Sequence, residues 1–212
     1  MKKLMVAVAV MLAVCFGVSA QEEGGSSSGA IDFTSFGGTV KSGNIIVDAG
    51  LGIDSGSFQS MGYYIPRISV SGEYTLQCGP CPLGFGLAID YMANRSYGYY
   101  VDEISSANRI TQIHNNLFIA LVVNYHINIP ALDAFDFYVG PRIGVCLDIV
   151  NQDDYHYDTK AGAYVTDNSS FVNPAFYAGG VIGASWYLTE MIGANVEVGY
   201  PTLARAGVSL KF

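Results

Sequence analysis

The sequence predicts an all-β chain, an eight-stranded antiparallel up-and-down transmembrane β-barrel. Three observations carry that expectation. The chain opens with an export signal, no later apolar run is long enough for a spanning helix, and the remainder alternates apolar and polar residues with period two. Successive side chains of a strand point to opposite faces, so alternation marks an element with different surroundings on its two sides.

The opening stretch, MKKLMVAVAVMLAVCFGVSAQEE, places Lys2 and Lys3 before an apolar run from Leu4 to Val18. Val18, Ser19 and Ala20 then supply the small residues of a cleavage site, so residues 1–20 are expected to be a cleaved signal peptide. A retained anchor would need a longer run. Lipidation at Cys15 is disfavoured because Val14 is bulky where such signals want a small residue. Beyond residue 20 the longest apolar run is 117–123, far short of the ~18 residues of a spanning helix.

Composition points the same way. Only 13% of the residues are charged, against about 25% in an ordinary soluble domain, and there are 25 Gly and 15 Tyr. The formal charge of −8 becomes −10 once Lys2 and Lys3 are lost, which argues against a nucleic-acid partner. Residues 21–43 begin as a Gly/Ser tract and are expected to form a flexible lead-in to a barrel over 44–212.

Eight segments of about ten residues follow, the length a tilted strand needs to cross a bilayer. Segment 44–53 sets Ile45, Val47, Ala49, Leu51 and Ile53 against Ile46, Asp48, Gly50 and Gly52. Segment 67–76 sets Ile68, Val70, Tyr74 and Leu76 against Arg67, Ser69, Ser71, Glu73 and Thr75. In 83–92 the apolar face is Leu83, Phe85, Leu87, Ile89 and Tyr91, with Asp90 opposite. Segment 111–125 alternates Ile113, Leu117, Ile119, Leu121, Val123 and Tyr125 against His114, Asn116 and Asn124. Segment 137–148 places Phe137, Val139, Ile143, Val145 and Leu147 opposite Tyr138, Arg142, Cys146 and Asp148. In 173–188 the phase is ambiguous, and Phe176, Ile182, Trp186 and Leu188 are assigned to lipid. Segment 192–200 opposes Ile192, Val196, Val198 and Tyr200 to Asn195 and Glu197, and 204–212 opposes Val208, Leu210 and Phe212 to Arg205, Ser209 and Lys211.

An even strand count leaves both chain ends on one side. The connections 77–82, 126–136 and 189–191 are mostly short and suit periplasmic turns, whereas 54–64, 93–110 and 151–171 are long, polar outer loops. The last outer connection, 201–203, is short. A soluble barrel would bury its apolar face; export, strand length and tyrosines near strand ends favour the inverse, with that face on lipid. The polar face then forms an interior charge network of Asp48, Arg67, Glu73, Asp90, Arg142, Asp148, Glu197, Arg205 and Lys211, nearly balanced in sign as buried charge requires.

The chain ends in RAGVSLKF, where Arg205, Gly207, Leu210 and terminal Phe212 match the assembly signal that closes outer-membrane barrel proteins. With FDFYVGPRIGV at 135–145 and GANVEVGY at 193–200, residues 44–212 resemble the eight-stranded outer-membrane barrel families, among them the membrane domain of OmpA, the OmpX and opacity-protein group, and OmpW. The short connection 201–203 is unlike opacity proteins with several long adhesive loops. The resemblance implies location in the outer membrane, contact with outer-membrane lipid, and delivery to the barrel-assembly machinery through the C-terminal strand.

Sequence motifs for chemistry are weak. Cys78-Gly79-Pro80-Cys81 has the letters of a thioredoxin-type site, but strand pattern lies on both sides and no helix follows, so a hairpin turn is expected. Cys78 and Cys81 then either close a disulfide across that turn or remain thiols. Cys146 is expected to pack inside the barrel. Asp153, Asp154, His156 and Asp158 gather carboxylates and one imidazole, a set that reads first as solvated loop charge and second as a cation site. His114 with Ser105, Ser106 and Asp102 offers a notional triad without supporting spacing or a nucleophile elbow. No catalytic, cofactor or metal residue is therefore assigned. The expected function is a non-enzymatic envelope protein whose outer loops contact host or envelope molecules; the alternative is an OmpW-like narrow channel for small or apolar solutes.

Overall fold

The computed structural model describes residues 40–54, 64–79, 81–100, 108–129, 132 and 134–212. The expected signal peptide, the lead-in as far as residue 39, and most of the connections 54–64 and 101–107 lie outside the described residues. The elements are β1 (Ile45–Ile53), β2 (Tyr64–Cys78), β3 (Cys81–Tyr100), β4 (Asn108–Asn128), β5 (Phe135–Asp158), β6 (Ala163–Tyr187), β7 (Ile192–Gly199) and β8 (Ala204–Lys211). Each pairs antiparallel with its sequence neighbour, and β1 pairs with β8 to close the ring.

Register fixes the dimensions. Followed round the ring, Ile53 faces Ala204, then Val198, Ile182, Val139, Tyr125, Leu83 and Leu76. Tyr74 faces Ile45, so Leu76 lies level with residue 43, and the path returns to β1 ten residues below its start. With a rise of ~3.3 Å and strands ~4.8 Å apart, that shear tilts the strands by about 40° and gives a backbone cylinder of ~8 Å radius. Side chains fill a cylinder that narrow.

Polarity is inverted relative to a soluble barrel. Leu121 and Ile182 are 63% and 64% exposed on the outside, while Arg67 is 0% exposed within. The residues assigned to lipid on β6, Phe176, Ile182 and Trp186, all point outward. Phe135, Phe137 and Trp186 stack at the lower rim, with centroids 6.0 Å apart for Phe135 and Trp186. Aromatic rings of this kind suit the boundary between hydrocarbon and headgroups.

The strands differ from the sequence expectation in length. β3 to β6 contain 20, 21, 24 and 25 residues, so most of 93–110 and 151–171, expected as loops, is sheet. Asp153, Asp154, His156 and Asp158 consequently sit on β5. The reason is physical: above the lipid both faces meet water, polar residues occupy both, and the alternation that marks a strand fades while its hydrogen-bond ladder continues. The β5–β6 turn is only 159–162, where Gly162 takes φ 63° and its N–H bonds Asp158 O at 2.8 Å. At the lower rim, too, the connection expected over 126–136 shrinks, because β4 runs to Asn128 and β5 starts at Phe135.

The last residues of the lead-in are tied down. Thr75 Oγ1 donates to Lys41 O at 2.5 Å, Gln77 N–H donates to Ser42 Oγ at 3.0 Å, and Val40 packs on Ile46 and Tyr187 across the lower mouth.

Candidate functional site

Two regions collect polar groups: the barrel axis and the sheet above the rim. The axis is a ladder of linked side chains. At the outer end Arg67 on β2 reaches Asp54 at 3.4 Å, Asp90 at 3.6 Å and Thr202 Oγ1 at 2.6 Å, with its guanidinium 3.9 Å from the Phe118 ring centroid. Ser69 donates to Asp90 and accepts from Arg205 Nη1 at 2.8 Å. Arg205 Nη2 then meets Glu197 Oε2 at 3.2 Å, and Arg142 Nη2 meets the same oxygen at 2.8 Å. Tyr138 OH donates to that oxygen as well, at 3.2 Å.

Below Glu197 the ladder continues through Asn124. It accepts from Arg142 Nη1 at 3.4 Å and donates to Glu73 Oε2 at 2.7 Å. Glu73 Oε1 lies 3.1 Å from His126 Nε2, and His126 Nδ1 lies 2.9 Å from Asp136 Oδ2. The strand residues among these groups all sit at positions whose side chains the pleat turns inward, separated by an even number of residues where two share a strand. Two glycines make room for them. A side chain on Gly84 would collide with the Glu73 carboxylate, and one on Gly183 with the Tyr138 ring.

The structure thus brings together Arg67, Glu73, Asp90, Arg142, Glu197 and Arg205 from the expected network. Asp48 is buried beside them, opposite Ser71 and Ser209. Asp148 stands apart at the outer mouth, 3.1 Å from His114 Nδ1, and Lys211 lies at the lower one, its Nζ 4.3 Å from the Tyr187 ring centroid. Sequence reasoning missed His126 and Asp136, which it placed in a turn. The signal was present: His126 continues the parity of Asn124, and Asp136 that of Tyr138. Among the ladder residues a cavity of about 10 Å³ remains, room for roughly one water.

Other expected sites resolve as follows. Cys78 and Cys81 are register partners across the β2–β3 hairpin and carry free thiols, as does Cys146, whose Sγ–H points to Asn116 Oδ1 at 3.7 Å. Ser105, Ser106 and Asp102 lie outside the described residues. His156 is 3.8 Å from both Asp154 and Asp167, and among the described residues no three His, Cys, Asp or Glu converge as metal ligands. Just past β8, Phe212 N–H bonds Ile45 O at 2.9 Å, and within β8 Gly207 lets β1 approach closely, since a Cβ there would strike Ala49 O.

The second region is the sheet above the rim. β6 pairs with β7 only from Val181 to Tyr187, while its pairing with β5 extends to Ala163. The β7–β8–β1 side therefore rises about 20 Å above the lower rim, and the β5–β6 hairpin about 60 Å. The upper edge of β6 has no strand beside it among the described residues. Gly180 O accepts from Tyr200 N–H, so the backbone groups of even-numbered β6 residues face this edge. Pro174 is one of them and removes a donor from it, a common way of blunting an edge.

No protein-family model matches the chain, and no curated protein matches it. Among solved structures it is similar to the N-terminal β-barrel domain of Pseudomonas aeruginosa OprF, with 16% identity, 81% of this chain and 98% of that one covered, and a TM-score of 0.42. It is also similar to Ail, the attachment invasion locus protein of Yersinia pestis, with 9% identity, coverage of 81% and 100%, and a TM-score of 0.41. For Neisserial surface protein A the identity is 14%, the coverage 80% and 95%, and the TM-score 0.34. Closed register, inverted polarity and a side-chain-filled axis make this chain an eight-stranded transmembrane β-barrel.

Proposed function

We propose that the protein is an integral outer-membrane barrel that acts without catalysis, by presenting the sheet of β3 to β6 to molecules outside the cell. The observation that carries this reading is the extension of these four strands beyond the point where β7, β8 and β1 stop. A ring that served only to span lipid would not need 25 residues in β6. The projecting surface is rich in Tyr, Asn, Ser and Thr, which give contact area and hydrogen bonding at small entropic cost. Delivery through the C-terminal strand to the barrel-assembly machinery belongs to the same reading. The small axial cavity speaks against the channel alternative.

The test is a shortened hairpin in which an Asn-Gly turn replaces residues 153–168, displayed on cells alongside the full chain. Both are probed against an array of immobilised serum and cell-surface proteins. The reading expects the short form to reach the membrane folded and to lose the binding that the full chain shows. Undiminished binding by the short form overturns it.

A further inference from the structure

The β2–β3 hairpin ends in a pair of thiols that the axial ladder does not use. Tyr74 faces Phe85, Leu76 faces Leu83 and Cys78 faces Cys81, so the two cysteines continue the outward parity of their strands at the lower rim. Residues directly opposed on antiparallel strands have Cα atoms about 4.5–5.5 Å apart, within the span a disulfide bridges. Because they share a face, their side chains need only rotate to bring sulfur to sulfur. Gly79 takes φ 68° in the turn, and Gln77 Nε2 donates to Gly79 O at 2.6 Å, which holds the tip. Burial separates the two thiols: Cys78 is partly accessible, whereas Cys81 is 2% exposed. The other cysteine beyond the export signal, Cys146, points to Asn116 inside the barrel near its outer end, out of reach of both.

Resting on the outer-membrane reading above, which puts the lower rim in the periplasm, we propose that Cys78 and Cys81 form a thiol–disulfide exchange site. The protein disulfide of a periplasmic thiol oxidase converts them to an intramolecular disulfide. Cys78 enters first because it is the accessible thiol of the pair. Its thiolate attacks one sulfur of the oxidant's disulfide, that S–S bond breaks, and the released oxidant thiolate takes up the proton Cys78 has lost. The Cys81 thiolate then attacks Cys78 Sγ, the mixed disulfide breaks, and the second oxidant thiolate leaves with the Cys81 proton. The hairpin gives up two electrons and two protons, and the oxidant is left as a dithiol. A ring closed over Cys78–Cys81 removes little chain entropy, so global stability is not its main yield. Its effect is on register. A one-residue slip of β2 against β3 would turn Arg67, Ser69 and Glu73 toward lipid. Tying Cys78 to Cys81 excludes that slip and holds Ser69 opposite Asp90 and Glu73 opposite Gly86.

The experiment uses the full mature chain, purified with its thiols reduced, folded into phosphatidylcholine vesicles and treated with oxidised glutathione. Alkylation followed by peptide mapping is the readout. Cys78 and Cys81 should lose alkylation together, and their peptide should lose the mass of two hydrogens. Cys81→Ser should retain one glutathione at Cys78, and in Cys78→Ser the Cys81 thiol should react at least about tenfold more slowly. The oxidised chain should fold from urea into vesicles about threefold faster than the reduced one, while the oxidant leaves the rate of Cys78→Ser/Cys81→Ser unchanged. Thiols that both remain alkylatable, or a disulfide-linked dimer in place of the internal bond, overturn the proposal. Equal reaction of the two single variants overturns the order of attack, and equal folding rates overturn the role in register. A chain that never inserts defeats the barrel reading itself; one that inserts and keeps both thiols defeats this inference alone.

Discussion

His126 Nδ1 lies 2.9 Å from Asp136 Oδ2, each side chain only 1% exposed, at the lower end of a polar ladder that runs the length of the barrel. The other ring nitrogen faces Glu73, so one imidazole ties β2, β4 and β5 together. Burial makes such a link costly to break, because the partner left behind cannot regain water.

Replacing His126 with Ala should destabilise the barrel by about 3–5 kcal/mol, the range for removing one partner from a buried ion pair. Urea-dependent folding into lipid vesicles, followed by the fluorescence of Trp186, measures this. The triple change His126→Gln, Glu73→Gln and Asp136→Asn removes the orphaned charges and should recover most of the loss. Equal instability of the single and triple variants would show that packing, not charge, is at stake.

Glu197 offers one oxygen to Arg142, Arg205 and Tyr138. Losing the carboxylate strands two guanidiniums, whereas losing either Arg leaves Glu197 one cationic partner. Glu197→Gln should therefore cost more than Arg142→Met or Arg205→Met in the same folding assay, by at least about 1 kcal/mol. The reverse order would mean that the Arg side chains contribute mainly through packing.

The ladder also decides conductance. Purified, refolded protein in a planar bilayer should give no discrete single-channel steps, because the axial cavity holds roughly one water. Arg142→Ala, Glu197→Ala and Arg205→Ala combined should open a continuous water path and produce steps. Steps from the unaltered chain would contradict a filled axis.

The eight strands and their facing were legible because lipid outside and packed ions inside impose opposite demands on alternate residues. Asp48, Glu73 and Arg142 could be placed inside from parity alone. The same rule fails above the membrane, where Gln152 and Asp153 both meet water and neither face is marked; hence the upper parts of β5 and β6 read as a loop. His126 was misplaced because 126–136 was read as a connection, whereas β4 stays paired with β5 as far as Asn128. Which ion meets which partner was not legible at all, since it depends on a shear of ten residues that no local pattern encodes.

Gly183 shows how closely the ladder is packed. An added Cβ would strike the ring of Tyr138, whose hydroxyl is held by Glu197 on one side and approached by Asn195 Nδ2 at 3.4 Å on another. The ring cannot swing aside without giving up those bonds. Gly183→Ala should cost about 1–3 kcal/mol as overpacking in the vesicle folding assay. Tyr138→Ala removes the obstacle, so Gly183→Ala should be nearly neutral when added to it, and the double-mutant cycle should show a coupling above ~1 kcal/mol. Additive costs would mean that β6 can shift outward toward lipid and that the interior is less rigid than its contacts imply.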